Sequence, residues 1–243
     1  MSPRVSVIIP HYFAVRAPHL LRIAADLRQS TLSPAEILVW NNDRAGTLPD
    51  LSRTGMTVIQ SPRNEGSRAR LLAAQRASDA SAYLCFMDND ITFEPQTLAS
   101  LVAWAERLPG SVVTLEGRAS RPVGEPYERW PKYRGASLAV PALVAMSLGR
   151  GELVPAAIAR RMLTRFPQGD MGRMDDLWWS ACAAWERVPI YVVPCTRGVS
   201  GLINLPEFRT GISMTHNYGP ERDAALAAIR GYNGHPRIWN DAS

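Results

Sequence analysis

The chain has 243 residues, 46% of them hydrophobic, a formal net charge of +5 and a pI near 9.4. This is enough to bury a sizeable core and too apolar for a disordered chain. No run approaches the roughly 18 apolar residues of a membrane span, and "MSPRVSVIIPHYF" lacks the zones of a signal peptide, so a soluble cytoplasmic protein without a membrane anchor is expected, its positive charge favouring a phosphate, nucleotide or polyanion.

In chain order, "VSVII" (5–9) reads as a buried strand ending at Pro10. Pro18 opens a helix with Leu20, Leu21, Ala24 and Leu27 at helical spacing, and "EILVW" (36–40) and "MTVIQ" (56–60) make the second and third strands. The Arg- and Ala-rich run 67–77 reads as a helix and "YLCFM" (83–87) as the fourth strand. Pro95 then opens a helix with Leu98, Leu101, Val102 and Leu108 on one face. Farther on, "SVVTL", "ASLAV" and "IYVV" are strand candidates, and 155–166 and 174–187 are helix candidates. Residues 196–218 carry glycines and no apolar period, which predicts a mobile loop over the site. Strands alternating with helices predict an α/β fold with a mostly parallel central sheet flanked by helices. With no repeat and no linker, a single domain over 1–243 is expected.

The three cysteines, Cys85, Cys182 and Cys195, are odd in number and lack CxxC spacing, so they read as reduced core thiols. Lys132 is the only lysine, and arginine supplies nearly all the positive charge.

Ligands of open α/β sheets bind at the carboxyl ends of the strands. Strand one delivers Pro10, His11 and Tyr12 there, and strand two delivers Asn41, Asn42 and Asp43. Strand three leads to Arg63 and Asn64, and strand four delivers Asp88, Asn89 and Asp90. One edge thus gathers rings, amides, acids and arginines, groups suited to a base and to phosphates. Two carboxylates ending one strand repel unless a cation or donors lie between them, and oxygen ligands of this kind suit Mg²⁺ or Mn²⁺. On spacing alone, a solvated Asp/Asn turn fits equally well. A calcium hand is excluded, because Phe93 and Ala99 stand where it needs glycine and glutamate. A second acidic pair, Asp175 and Asp176, opens a helix, where acids also favour the N-terminus for local reasons.

Taken together, "VSVIIPHYF", "EILVWNND", "SPRNEGSRARL", "CFMDND" and "MDDLWW" resemble, in order and rough spacing, the GT-A glycosyltransferases of family 2, with exostosin-like features in "VWNN", "RARL" and "DD". The resemblance covers 5 to about 216. It implies a Rossmann-like GT-A domain with a nucleotide-binding half over about 1–115 and a less regular acceptor-binding half over about 116–243. The family's DxD signature falls on Asp88, Asn89 and Asp90. Asp90 would hold Mn²⁺ or Mg²⁺, Asp88 would meet the ribose or a metal-bound water, and Asn89 would be a spacer. Asn42 or Asp43 would read the base edge, bordered by His11 and Tyr12, while Asn64, Arg68 and Arg70 would reach nucleotide or sugar. Arg68 and Arg70 cannot point the same way on a helix, so one of them is expected to be structural.

The resemblance also places the acceptor's general base on Asp176, beside Asp175, and a sugar-pocket wall on Gly135 and Ala136 of "YRGASLAV". It gives His216 a supporting metal or diphosphate contact. Of Trp178 and Trp179, one is expected in the core and the other under the acceptor. His19 and His235 carry no such context and default to the surface. The activity implied is metal-dependent transfer of a sugar from a nucleoside diphosphate donor, a UDP-sugar above all, to an acceptor hydroxyl. The acceptor stays open among a glycan, a small molecule, a protein and modified DNA, as does the choice between inversion and retention. Sugar nucleotidyl transfer, and a non-catalytic nucleotide- or polyanion-binding module, are the alternatives.

Overall fold

A computed structural model describes residues 2–43, 48–120, 126–166, 174–195, 201–206 and 219–233. The first apolar run forms β1 (Val5–His11), followed by α1 (Ala17–Arg28), with proline in the first turn, where its missing N–H is no loss. The face α1 buries is Leu20, Ile23, Ala24 and Leu27, at i, i+3, i+4 and i+7, while Leu21 is exposed. Next come β2 (Glu36–Asn41) and β3 (Met56–Gln60). The helix expected over 67–77 is shorter: a 3-10 turn at Gly66–Arg68 leads into α2 (Ala69–Ala74).

The chain continues through β4 (Tyr83–Phe86), β5 (Ile91–Phe93), α3 (Thr97–Arg107), β6 (Val112–Thr114) and β7 (Glu116–Arg118). It then runs through β8 (Lys132–Arg134), β9 (Ala142–Val144), β10 (Met146–Ser147) and β11 (Glu152–Pro155). The last described elements are α4 (Ala156–Arg165), α5 (Asp175–Trp185), β12 (Ile190–Val192), β13 (Leu202–Asn204) and α6 (Gly219–Asn233). The strand expected at "ASLAV" is displaced. Gly135–Ser137 is a 3-10 turn and Val140 is exposed, whereas the next residues, Ala142–Val144, find a partner in β12. Part of the expected loop is likewise a strand, since β13 pairs antiparallel with β5. Positions 196–200 and 207–218 of that loop lie outside the described residues.

The main sheet has the order β3-β2-β1-β4-β11-β6-β12-β9. Its first four strands are mutually parallel, so their carboxyl ends meet at one edge. The antiparallel β11 is inserted beside β4 with Glu152 opposite Phe86. A smaller sheet, β10-β7-β8, lies beyond. Period-two alternation splits the core between the faces. Val5, Val7 and Ile9 pack with α1 and α3, whereas Ile8, Leu38 and Phe86 pack with α2, α4 and α5. Because both faces are covered, these strands read as nearly continuous apolar runs.

Among the described residues, Cys85, Cys182 and Cys195 form no disulfide. Burial pushes the Cys182 thiol up to about 12 and the Cys195 thiol up to about 11; Cys85 and Cys182 are buried, as expected of core thiols, whereas Cys195 is only partly buried. Among the described residues, no helix is long and apolar enough to cross a membrane.

Candidate active site

At the carboxyl edge of the parallel strands lies a cleft of about 320 Å³. The end of β1 supplies Pro10 and His11 to its wall, and the loop after it supplies Tyr12 and Phe13. The Tyr12 ring is exposed and meets Phe13 edge-on, centroids 4.6 Å apart. His11 is fully buried and its Nδ1 accepts from Asn89 Nδ2 at 2.9 Å. Burial lowers its pKa to about 4, so the ring is neutral at pH 7 and Nδ1 is free to accept.

Asn89 is more than a spacer. Its amide bridges His11 and Arg16, accepting from Arg16 Nη1 at 3.3 Å, and its carbonyl lies 3.0 Å from His19 Nδ1. His19, expected at the surface, is buried for this reason.

The amides after β2 act first on the backbone. Asn41 donates to Gln60 Oε1 and accepts from the Asp43 N–H, holding β2 to β3. Asn42 accepts from the Glu65 N–H at 3.0 Å and donates to the Gly66 carbonyl at 2.8 Å, which fixes the loop before α2. Asn42, Asn64 and Gly66 line the cleft. Asn41, Asp43 and Arg68 are not among its lining residues, so of the two residues expected at the base edge, Asn42 and Asp43, the wall includes Asn42.

The two acidic pairs face this one cleft. Asp90 Oδ2 pairs with Arg16 Nη1 at 3.1 Å, and Oδ1 is buried without a hydrogen-bond partner among the described residues. Asp88 Oδ1 accepts from Arg70 Nη2 at 2.9 Å. Burial, with Asp90 and Asp175 nearby, pushes Asp88 up to about 6 against the pull of Arg70 and Arg150. Arg70 also reaches the second pair, its Nε 2.6 Å from Asp175 Oδ2, and donates through Nη1 to the Gly149 carbonyl at 3.3 Å. Burial opposes the Arg70 charge, but Asp175, Asp88, Asp176 and Glu152 more than offset it. Arg70 therefore braces the protein's own acids while it also lines the cleft.

Asp175 and Asp176 open α5, whose N-cap residue is Met174, so both acids lie in the first turn, where the helix dipole favours negative charge. Burial first, then Asp175, pushes Asp176 up to about 7. Across from them, Arg222 of α6 reaches the cleft, its guanidinium 4.8 Å from the Tyr127 ring centroid.

Other expectations are corrected here. Trp178 and Trp179 are both core: Trp179 packs on Phe86 and donates to Glu152 Oε1 at 2.5 Å, while Trp178 packs on Trp185. Neither lines the cleft. Gly135 is needed for a close approach, but to the Val193 carbonyl rather than to a sugar, and Ala136 beside it is exposed; neither lines the cleft. His216 lies outside the described residues, as does His235. Sequence reasoning passed over Arg16, Phe13, Leu148 and Arg222, which also form the wall. Only "AVRAPH" carried a signal, a cation a few residues past a strand end.

The model of glycosyl transferase family 2 matches residues 6–153, more than half of the chain. The chain belongs to glycosyl transferase family 2. No curated protein matches it. Among solved structures, S. aureus TarS 1–349 in complex with UDP-GlcNAc is 16% identical with a TM-score of 0.65, covering 94% of this chain and 66% of that one. A longer S. aureus TarS structure is 15% identical with a TM-score of 0.63, over 95% of this chain and 40% of that one. This family 2 chain therefore shares the GT-A fold and spans less than two-thirds of the TarS chains it matches.

Proposed function

We propose that the chain transfers a glycosyl unit from a nucleoside diphosphate sugar to an acceptor hydroxyl. The observation that carries this is the meeting of two acidic pairs, Asp88 with Asp90 and Asp175 with Asp176, at one cleft on the carboxyl edge of the sheet. A UDP-sugar is the favoured donor, in keeping with the fold shared with a structure that holds UDP-GlcNAc. Tyr12, exposed at the mouth, offers a face for the base, and Asn42 and Asn64 border the nucleotide.

The orphaned Oδ1 of Asp90 fits a cation, and among the described residues no group of three or more His, Cys, Asp or Glu could hold one unaided. Asp90 and Asp88 would hold Mn²⁺ or Mg²⁺ together with the donor's phosphates. The ion would supply charge neutralisation of the departing diphosphate. Arg16 holds one oxygen of the Asp90 carboxylate, and the other is left buried without a hydrogen-bond partner among the described residues. Asp176, with its proton affinity raised towards neutrality, takes the proton from the acceptor hydroxyl. Arg70 holds Asp175 beside it. Residues 1–115 and 116–243 act as donor and acceptor halves of one catalytic unit, and the cytoplasmic location expected from the sequence belongs to this proposal.

The test is hydrolysis of a panel of nucleotide sugars by the purified chain with Mn²⁺. The expected result is UDP release from a UDP-sugar, cut at least about 100-fold by Asp90→Ala. No hydrolysis of any donor, with Asp90→Ala binding nucleotide as the parent does, overturns the reading. Nucleotide binding without turnover identifies a binding module instead.

A further inference from the structure

Beside the cleft, outside the residues that line it, one carboxylate gathers three cations. Glu116 Oε2 lies 2.9 Å from Lys132 Nζ and 3.4 Å from Arg150 Nη1, and its Oε1 lies 3.5 Å from Arg134 Nε. Glu116 and Arg134 are directly opposed in the β7·β8 ladder, so the pleat holds two members of the cluster in place. Arg150 is held by Glu116 on one side and by Asn204 Oδ1, at 2.5 Å, on the other.

The cluster adjoins the cleft through two connections. Asn204 pairs with Ile91, the residue after Asp90, in the β13·β5 ladder. Arg150 follows Gly149, whose carbonyl accepts from Arg70, and Leu148 just before lines the cleft. The charge of Arg150 reaches Asp88, which it helps to keep ionised. Among the described residues, these three cations share one carboxylate, an excess of two positive charges, and the Arg134 side chain is 64% exposed. The two positive charges that Glu116 does not neutralise, kept beside the reacting edge, repel one another unless a second anion sits among them.

We propose that Lys132, Arg134 and Arg150 form an anion subsite that binds a phosphate group carried by the acceptor. The inference deepens the glycosyl-transfer reading, on which its assignment to the acceptor rests. The excess charge matches a phosphate monoester, or successive diesters along a polymer, better than a single carboxylate. Arginine's fork suits the phosphate oxygens. Glu116 acts as the internal counterion that keeps the cations gathered while the subsite is empty.

The test is fluorescence anisotropy with the full chain and a labelled abasic phosphodiester oligomer, which presents phosphates without bases, and with UDP titrated separately. The expected result is salt-sensitive oligomer binding, weakened about tenfold or more by Lys132→Gln/Arg134→Gln, with a salt slope shallower by roughly 0.7 for each phosphate that the variant no longer neutralises. UDP binding should be unchanged in that variant. Glu116→Gln removes the competing carboxylate and should tighten the oligomer several-fold more than it tightens a carboxylated oligosaccharide of equal charge, an outcome that added charge alone does not produce and that stands even if the double variant fails to fold.

The proposal is overturned if the oligomer does not bind, or if it binds the parent and Glu116→Gln alike. It is also overturned if a carboxylated oligosaccharide of equal charge binds as tightly, or if a thymidine oligomer binds far more tightly than the abasic one, which would mark base recognition. If UDP fails to bind while the oligomer behaves as expected, the donor reading fails and the subsite stands.

Discussion

At the scale of single residues, the site is a set of carboxylates held against their ordinary preferences. Burial pushes Asp176 up to about 7 and Asp88 up to about 6. An acid whose folded pKa lies above its unfolded value stabilises the fold fully below the unfolded value, near 4, and that contribution disappears as pH rises through the folded value. The chain should accordingly lose stability at these two positions between about pH 4 and 7. Asp176→Asn keeps the shape and removes the charge, so it should melt above the parent at pH 8 and level with it at pH 4. The same variant should lose about 100- to 10,000-fold in transfer. In the parent, transfer should rise with pH through about 7 as Asp176 ionises; a flat profile from pH 5 to 8 removes Asp176 from the role of base. Asp88 and Asp90 were legible because polar residues at a strand end have a known destination. Asn89 was not legible as a bridge, since its partners His11 and Arg16 lie more than 70 positions away.

Among elements, the parallel strands could be read because a strand covered on both faces is a continuous apolar run, as in "VSVII" and "EILVW". The three-residue β5 and β13 are too short for a period to declare itself, and β11 carries no strand signal of its own, only its last residue, Pro155, falling in the helix expected over 155–166. "ASLAV" looked like a strand because composition says nothing about whether a neighbouring edge is free. The turn before β11 carries a testable constraint. Gly149 has φ +67°, and a Cβ there would overlap Arg70 Nη1. Gly149→Ala should destabilise by about 1–3 kcal/mol and lower kcat more than KM, because it displaces the arginine bracing both acidic pairs. Gly55 has nearly the same backbone, φ +69°, with nothing within 4 Å. Gly55→Ala is the control, expected to share the backbone strain in chemical denaturation and leave kcat alone.

On the scale of the whole molecule, the family and the layered α/β architecture were legible from ordered strand ends, while the acceptor wall was not. That wall is built from short strands and turns whose side chains meet only through long-range pairing, as Glu116 does with Arg150. Nucleotide binding should register in the melting of the entire chain. UDP with Mn²⁺ at 100 times its dissociation constant should stabilise by about 2.7 kcal/mol, and Asp90→Asn should lose most of that gain while melting normally without nucleotide. No UDP-dependent shift in the parent contradicts the nucleotide site. The Arg70 bridge has a consequence for recombining such enzymes. Its guanidinium spans Asp88 from the N-terminal part of the chain and Asp175 from the C-terminal part, so a chimera that exchanges one part inherits a buried arginine or a buried acid cut for a different counterpart. Crossovers placed between the two would misfold or stall unless Arg70, Asp88 and Asp175 travel together, which makes this triad a fixed joint around which acceptor specificity could be exchanged.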